Sequence, residues 1–158
     1  MKKTIAFLSA VMFCSVSHAE DFICHLKNNK TLTISVNDTG TPVYQYGTVD
    51  HTDLRLPVEH KDIDSIRNAY LLAPGGGEVS YLRFINGTYS YVVFTSKDAA
   101  QKVQSGVAIW KASNLVSILK CTNETKPIEN YLGNAQVLTS DDDDTLYGYK
   151  YIKKYLPE

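Results

Sequence analysis

Cysteine is scarce in this chain, three residues in 158, and no two of them form a Cys-x-x-Cys pair. That absence argues against a thioredoxin-type redox centre and against the paired-cysteine zinc sites. Neither charge dominates, with 16 basic side chains against 17 acidic ones, so the basic face that nucleic-acid binding requires is missing. Beyond residue 16 no apolar run approaches the roughly 20 residues that span a bilayer, which argues against stable membrane insertion. A Gly-x-Ser-x-Gly elbow is lacking, and no Lys-Ser/Thr follows the one glycine-rich stretch, so neither a serine hydrolase nor a phosphate-binding loop is signalled. No internal repeat or long low-complexity segment interrupts the chain.

What is present begins at the N-terminus. Lys2 and Lys3 precede an apolar stretch over residues 5–16, and Ser17-His18-Ala19 places small residues at both positions read by a signal peptidase. Residues 1–19 therefore read as a cleavable export signal, and the expected location is the periplasm. Phe13 before Cys14 departs from the small residue expected before a lipidated cysteine, so Cys14 is expected to leave with the signal. Processing would remove two lysines and leave 14 basic against 17 acidic side chains on about 139 residues, a mildly acidic domain large enough to bury a core. Cys24 and Cys121 survive, and in an oxidising compartment they are expected to pair. Closing so long a loop stabilises the fold by up to about 4.7 kcal/mol in the chain-entropy model.

From Phe22 onward, short runs rich in β-branched and aromatic residues alternate with Asn, Asp, Gly and Pro clusters, the rhythm of an all-β domain. Thr31-Leu32-Thr33-Ile34-Ser35-Val36 alternates strictly and reads as a strand with one face in and one out, paired with residues 22–26 across Asn28-Asn29. Residues 43–47 and 54–58 read as further strands, the second an edge strand or one that stops at Pro57. Residues 61–72 fit two readings. Ile63, Ile66 and Tyr70 have helical spacing, yet the segment is short enough for an irregular crossing. Asn86-Gly87 between residues 80–85 and 88–94 predicts a hairpin with a type I′ turn. Residues 96–105 have the composition for one or two helical turns. Residues 107–110 and 115–119 predict a second hairpin through Ser113-Asn114. The expectation is a single antiparallel sandwich or barrel over residues 20–121, its first strand tied to its last by Cys24–Cys121. Residues 122–158 form a short C-terminal appendage, packed on the domain or trailing from it, with residues 128–138 as a candidate short helix.

Chemistry-bearing residues are few. His51 and His60 lie among Asp50, Asp53, Glu59, Asp62 and Asp64, but their spacing matches no tight metal motif, so solvated charges are expected and neither metal nor cofactor is implied. His25 should face away from Cys24. Pro74-Gly75-Gly76-Gly77 is a glycine-rich loop entering a strand, and glycine permits the close backbone approach by which a loop enters a partner's cleft. Asp141, Asp142, Asp143 and Asp144 lack the alternation and glycine of a calcium loop; they read as a solvated linker, or as a contact for a cationic partner. Eleven tyrosines suit strands and protein interfaces alike.

Phe22-Ile23-Cys24, Asn29-Lys30, Tyr44-Gln45-Tyr46-Gly47, Asn86-Gly87-Thr88-Tyr89 and Val116-Ser117-Ile118-Leu119-Lys120-Cys121 resemble a poorly characterised family of small periplasmic proteins in Gram-negative bacteria. More loosely, a cysteine on the first strand, another closing the last and a small β-barrel between them are similar to the periplasmic inhibitors of C-type lysozyme. Those inhibitors insert a Ser-Gly-x-Gly-x-Lys/Arg-Tyr loop into the enzyme. Gly75 and Gly77 match that loop, whereas Pro74 replaces the serine, Val79 the basic residue, and Tyr81 falls one place late. Immunity proteins that neutralise delivered, wall-attacking effectors fit the size and compartment equally well. The resemblance implies a periplasmic protein partner, an enzyme or effector, blocked by steric occlusion. Its expected contacts are Gly75, Gly76, Gly77, Glu78 and Tyr81, assisted by Asp141 to Asp144. Two other classes stay open: a small-ligand carrier holding its cargo in a barrel mouth with Tyr44, Tyr46, Tyr89, Tyr91 and Trp110, and a hydrolase whose site the sequence does not reveal.

Overall fold

A computed structural model describes residues 20–59, 62–73, 76–143 and 147. The expected export segment lies outside these residues, as do His60, Pro74, Gly75 and Asp144. The described chain forms two sheets and contains no α-helix. The first is antiparallel, with β1 (Phe22–His25), β2 (Thr31–Val36), β3 (Pro42–Gly47) and β4 (Thr52–Leu56) in sequential order. The second contains β5 (Ile66–Ala73), β6 (Gly77–Asn86), β7 (Tyr89–Lys97), β8 (Val103–Lys111) and β9 (Asn114–Lys120), also sequential and antiparallel. A short β10 (Thr139–Ser140) adds to β5 in parallel. The arrangement is a sandwich, not a closed barrel.

The alternation read along β2 is what builds the smaller sheet. Phe22, Ile34, Tyr44 and Leu56 stand opposite one another across β1 to β4, all buried, and Cys24 and Leu32 form the next inward row. These side chains meet Ile66, Leu82, Phe84, Val93 and Val107 from the second sheet. Tyr44 fills the centre, its ring 5.6 Å from those of Phe84 and Tyr91. Burial pushes its phenol well above the usual range.

β6 is buried without alternation from Val79 to Phe84 because both of its faces are covered. Leu82 and Phe84 point into the sandwich, while Val79 and Tyr81 join Val92, Phe94, Ala108, Trp110 and Tyr147 in a second apolar layer.

The bridge Cys24–Cys121 joins residues 97 positions apart, with Cα atoms 5.0 Å from each other. Hydrogen bonds reinforce it: Thr122 N–H donates to His25 O at 2.7 Å, His25 N–H donates to Asn123 Oδ1 at 2.7 Å, and Asn123 Nδ2 donates to Ile23 O at 2.8 Å. The appendage, as far as 143, packs on the domain. Ile128 and Tyr131 enter the same core as Phe22, and the rings of Phe22 and Tyr131 meet edge-on at 5.5 Å.

Four local expectations are corrected. The described part of residues 61–72, from 62 onward, is neither helix nor irregular crossing: after a 3₁₀ turn at Ile63–Ser65 it enters β5, because Ile66 finds a partner in Phe84 and the ladder with β6 overrides the local helical spacing. Residues 96–105 form no helical turn. β7 continues to Lys97, and Asp98 closes a tight turn by accepting the Lys102 N–H on its carboxylate at 2.9 Å, a bond that competes with helix in so short a segment. Of residues 128–138 only Ile128–Tyr131 winds, as a 3₁₀ turn, with Gly133 and Asn134 following. The Asn86-Gly87 hairpin forms, but one residue later than expected. Asn86 pairs with Tyr89, which leaves Gly87 and Thr88 as the loop, and Gly87 alone has positive φ, +60°. That is the pattern of a type II′ turn, with glycine at the first central position.

Candidate functional site: the hairpin tips of the larger sheet

Of the glycine-rich loop, Gly76 and Gly77 are described, and they lie at the tip of the β5–β6 hairpin, where Gly77 pairs with Ala73. Gly76 has φ +91°, a conformation disfavoured for L side chains, and a Cβ built there would sit 4.0 Å from the Ala99 Cβ on the β7–β8 turn. Two hairpin tips thus lie side by side. Below them Glu78 is braced twice: Tyr70 Oη donates to its Oε2 at 2.5 Å, and Lys97 Nζ lies 3.1 Å from Oε1. These contacts hold the Glu78 carboxyl below the usual range, the Tyr70 hydrogen bond being the larger influence, and the same bond raises the Tyr70 phenol. On the β5 arm Tyr70 is 56% exposed and Leu72 72% exposed. Residues 99–102 on the neighbouring turn are exposed as well.

The other expected contacts separate from this surface. Tyr81 is 1% exposed and Asp141 5% exposed, so neither can touch a partner on the folded protein. Tyr81 stands on the outer layer of a strand covered on both faces, and its hydroxyl donates to Asp141 Oδ2 at 2.8 Å. Arg83 grips the same carboxylate bidentately, through Nε to Oδ2 at 2.7 Å and through Nη2 to Oδ1. Its guanidinium carbon lies 4.3 Å from the centre of the Tyr147 ring, which meets Trp110 edge-on at 5.3 Å. Burial opposes ionisation of Asp141, yet the hydrogen bonds from Arg83 and Tyr81 outweigh it and hold its carboxyl below the usual range; Arg83 is raised in turn. The acidic run therefore divides. Asp141 is a structural ion-pair partner, and Asp142 and Asp143 are exposed.

Of the aromatic residues considered for a carrier, Tyr44, Tyr91 and Tyr89 form a chain of ring contacts, Tyr44 to Tyr91 at 5.6 Å and Tyr91 to Tyr89 at 6.4 Å, while Trp110 stands apart from them. Tyr44 belongs to the sandwich core and Trp110 to the layer on the opposite face of the larger sheet. Tyr46 accepts from Asn28 Nδ2 at 2.9 Å, and Tyr89 stacks on Tyr91 near the β6–β7 turn. His25 does face away from Cys24, with its ring 3.2 Å from the Thr31 hydroxyl, and His51 lies 3.6 Å from Asp53. Among the described residues no three His, Cys, Asp or Glu side chains gather as metal ligands would.

Sequence reasoning missed Tyr70 and Leu72, the exposed apolar pair, because it did not place them on a strand. It also missed the partner of Arg83, although a lone cation in the run Ser80-Tyr81-Leu82-Arg83-Phe84-Ile85 was a signal that a buried carboxylate must come from elsewhere. Comparison with protein-family models, curated proteins and solved structures finds no match.

Proposed function

We propose that this chain is a periplasmic inhibitor or immunity-type protein that occludes a wall-degrading enzyme or a delivered effector with the β5–β6 hairpin. The observation that carries this reading is the exposed pair Tyr70 and Leu72 on an arm braced by Glu78 and Lys97, ending in a glycine tip over a filled core. Gly76, Gly77 and Glu78 keep the role expected of them, and Tyr70 and Leu72 take the place of Tyr81. An apolar and aromatic patch on a rigid hairpin is the kind of anchor that enters a partner's cleft with little ordering cost. Asp142 and Asp143 add exposed negative charge that speeds encounter with a cationic enzyme. Export and an oxidised Cys24–Cys121 pair belong to the same compartment.

The test is inhibition. The oxidised chain, freed of residues 1–19, is added to a panel of muramidases and other peptidoglycan hydrolases, and lysis of wall fragments is followed by turbidity. Inhibition is expected for at least one enzyme, and Leu72→Asp should abolish it while thermal unfolding stays within about 0.5 kcal/mol of the parent, as for an ordinary surface change. A chain that inhibits none of them, and brings down only small molecules from periplasmic extract, defeats the reading.

A carrier is the second reading, favoured by a groove that includes Tyr46 but not Tyr44, Tyr89 or Tyr91 of the tyrosines first considered for it. The outer face of the smaller sheet holds a groove of about 340 Å³ lined by Ile23, His25, Thr33, Gln45 and Thr52 among others, suited to a small neutral ligand.

A further inference from the structure

The two sheets meet at one point along their edges and then part. Leu26 forms an antiparallel bridge with Cys121, and Thr122 N–H reaches His25 O. Immediately beyond, the chain after β1 turns away from β9. Asn29 adopts φ +60°, and Leu26 N–H donates to Lys30 O at 2.9 Å, closing the turn into β2. The divergence leaves a cleft of about 320 Å³ lined by Leu26, Lys27, Asn28, Ile118, Leu119 and Lys120.

Three kinds of group border this cleft. The first is backbone. β9 is the outermost strand of its sheet, and Cys121 N–H donates to Ser105 O at 2.9 Å. By the alternation of an antiparallel ladder Leu119, opposite Val107, also turns its peptide groups toward β8, so Ile118 N–H and C=O and Lys120 N–H face the open edge. The second is apolar floor, from buried Leu26 and half-buried Ile118 and Leu119. The third is charge. Lys27 and Lys120 are exposed, and neither has an ion-pair partner among the described residues.

We propose that this cleft docks an extended acidic peptide segment of a partner protein, which adds to β9 along Ile118 and Lys120 and sets its carboxylates between Lys27 and Lys120. Strand addition uses the open backbone groups for affinity and alternate side chains for selectivity. Two ammonium groups without an ion-pair partner among the described residues, beside an apolar floor, select a peptide that alternates acidic and apolar residues. A fatty-acid anion would satisfy the floor and the lysines but would leave the peptide groups of Ile118 and Lys120 unused, so the peptide fits the site more fully. The site is independent of the β5–β6 hairpin, whose nearer strand β6 is three places from β9 in the sheet order, and a failure here leaves the inhibitor reading untouched.

The experiment uses the oxidised chain and a fluorescent alternating glutamate–valine hexapeptide. Its controls are the same peptide with glutamine for glutamate, and dodecanoate. Anisotropy reads affinity and amide exchange reads location. The expected result is binding that weakens with salt, slows exchange at the Ile118 and Lys120 amides, and falls by about tenfold or more both for the glutamine peptide and for the Lys27→Glu, Lys120→Glu double variant. Ile118→Pro should also abolish binding, since that N–H does not serve β8 and proline is tolerated at such an edge position. The charge-reversal variant carries the test if the proline variant does not fold. Absence of binding, equal affinity for the glutamine peptide, protection elsewhere in the chain, or binding of dodecanoate in place of the peptide would each overturn the proposal.

Discussion

Arg83 and Asp141, 58 residues apart, form a bidentate ion pair on the outer face of the larger sheet, with the Tyr81 hydroxyl donating to the same carboxylate. The pair ties the C-terminal segment to the centre of the sheet. Both side chains are at most 10% exposed, so neither charge can be left without the other.

Asp141→Ala should therefore destabilise the fold by about 3–5 kcal/mol, the scale for stranding one member of a buried pair. Replacing both residues, Arg83→Met with Asp141→Leu, should recover most of that loss, because an apolar pair in the same space strands no charge. Urea denaturation of the two variants reads the difference. Equal destabilisation in both would mean that packing, not charge, decides the effect.

Stability should also depend on acid through this residue. Since the folded state holds Asp141 below its ordinary value of 3.8, the contribution is fully present above that pH and is lost as pH falls through the lower folded value. Thermal unfolding followed from pH 6 downward should show the decline, and Asp141→Asn should flatten that component. A variant with an unchanged acid profile would place the acid sensitivity elsewhere.

Reduction of Cys24–Cys121 opens a loop that spans nearly the whole sandwich. The chain-entropy scale puts the loss at up to about 4.7 kcal/mol. The hydrogen bonds of Thr122 and Asn123 to β1 remain, so the reduced chain should keep its strand content at room temperature and unfold at lower denaturant. Circular dichroism with and without reductant, or with both cysteines replaced by alanine, measures this.

The hairpin turn separates two readings of one sequence. With Gly87 at φ +60° and Asn86 paired with Tyr89, Gly87→Ala should cost about 1–2 kcal/mol, whereas Asn86→Ala should cost much less. A type I′ turn centred on Asn86-Gly87 would penalise both, and chemical denaturation of the two variants distinguishes them.

Legibility followed the physics of each strand. β2 was readable because one of its faces meets water, so its pattern has period two. β5 was not, because its pattern depends on what lies opposite. Ile66 is buried against the sandwich core, while Tyr70, on the same side of the strand, lies past the core cluster and in the open. Tyr81 looked like an interface residue until the second layer over β6 buried it. The acidic run looked uniform, yet Asp141 is buried and hydrogen-bonded by Arg83, while Asp143 stays exposed with its carboxylate 3.9 Å from Arg83 Nη2.

By itself the sequence determined the all-β class, most of the turns and which cysteines pair, because alternation, turn residues and cysteine count are local or countable properties. Only the tertiary structure decided that the sheets form an open sandwich, that Tyr81 and Asp141 are buried while Tyr70 and Leu72 are displayed, and that β1 and β9 part to leave a cleft. Those outcomes depend on which side chain stands opposite which across distant strands, and no short stretch of chain contains that information.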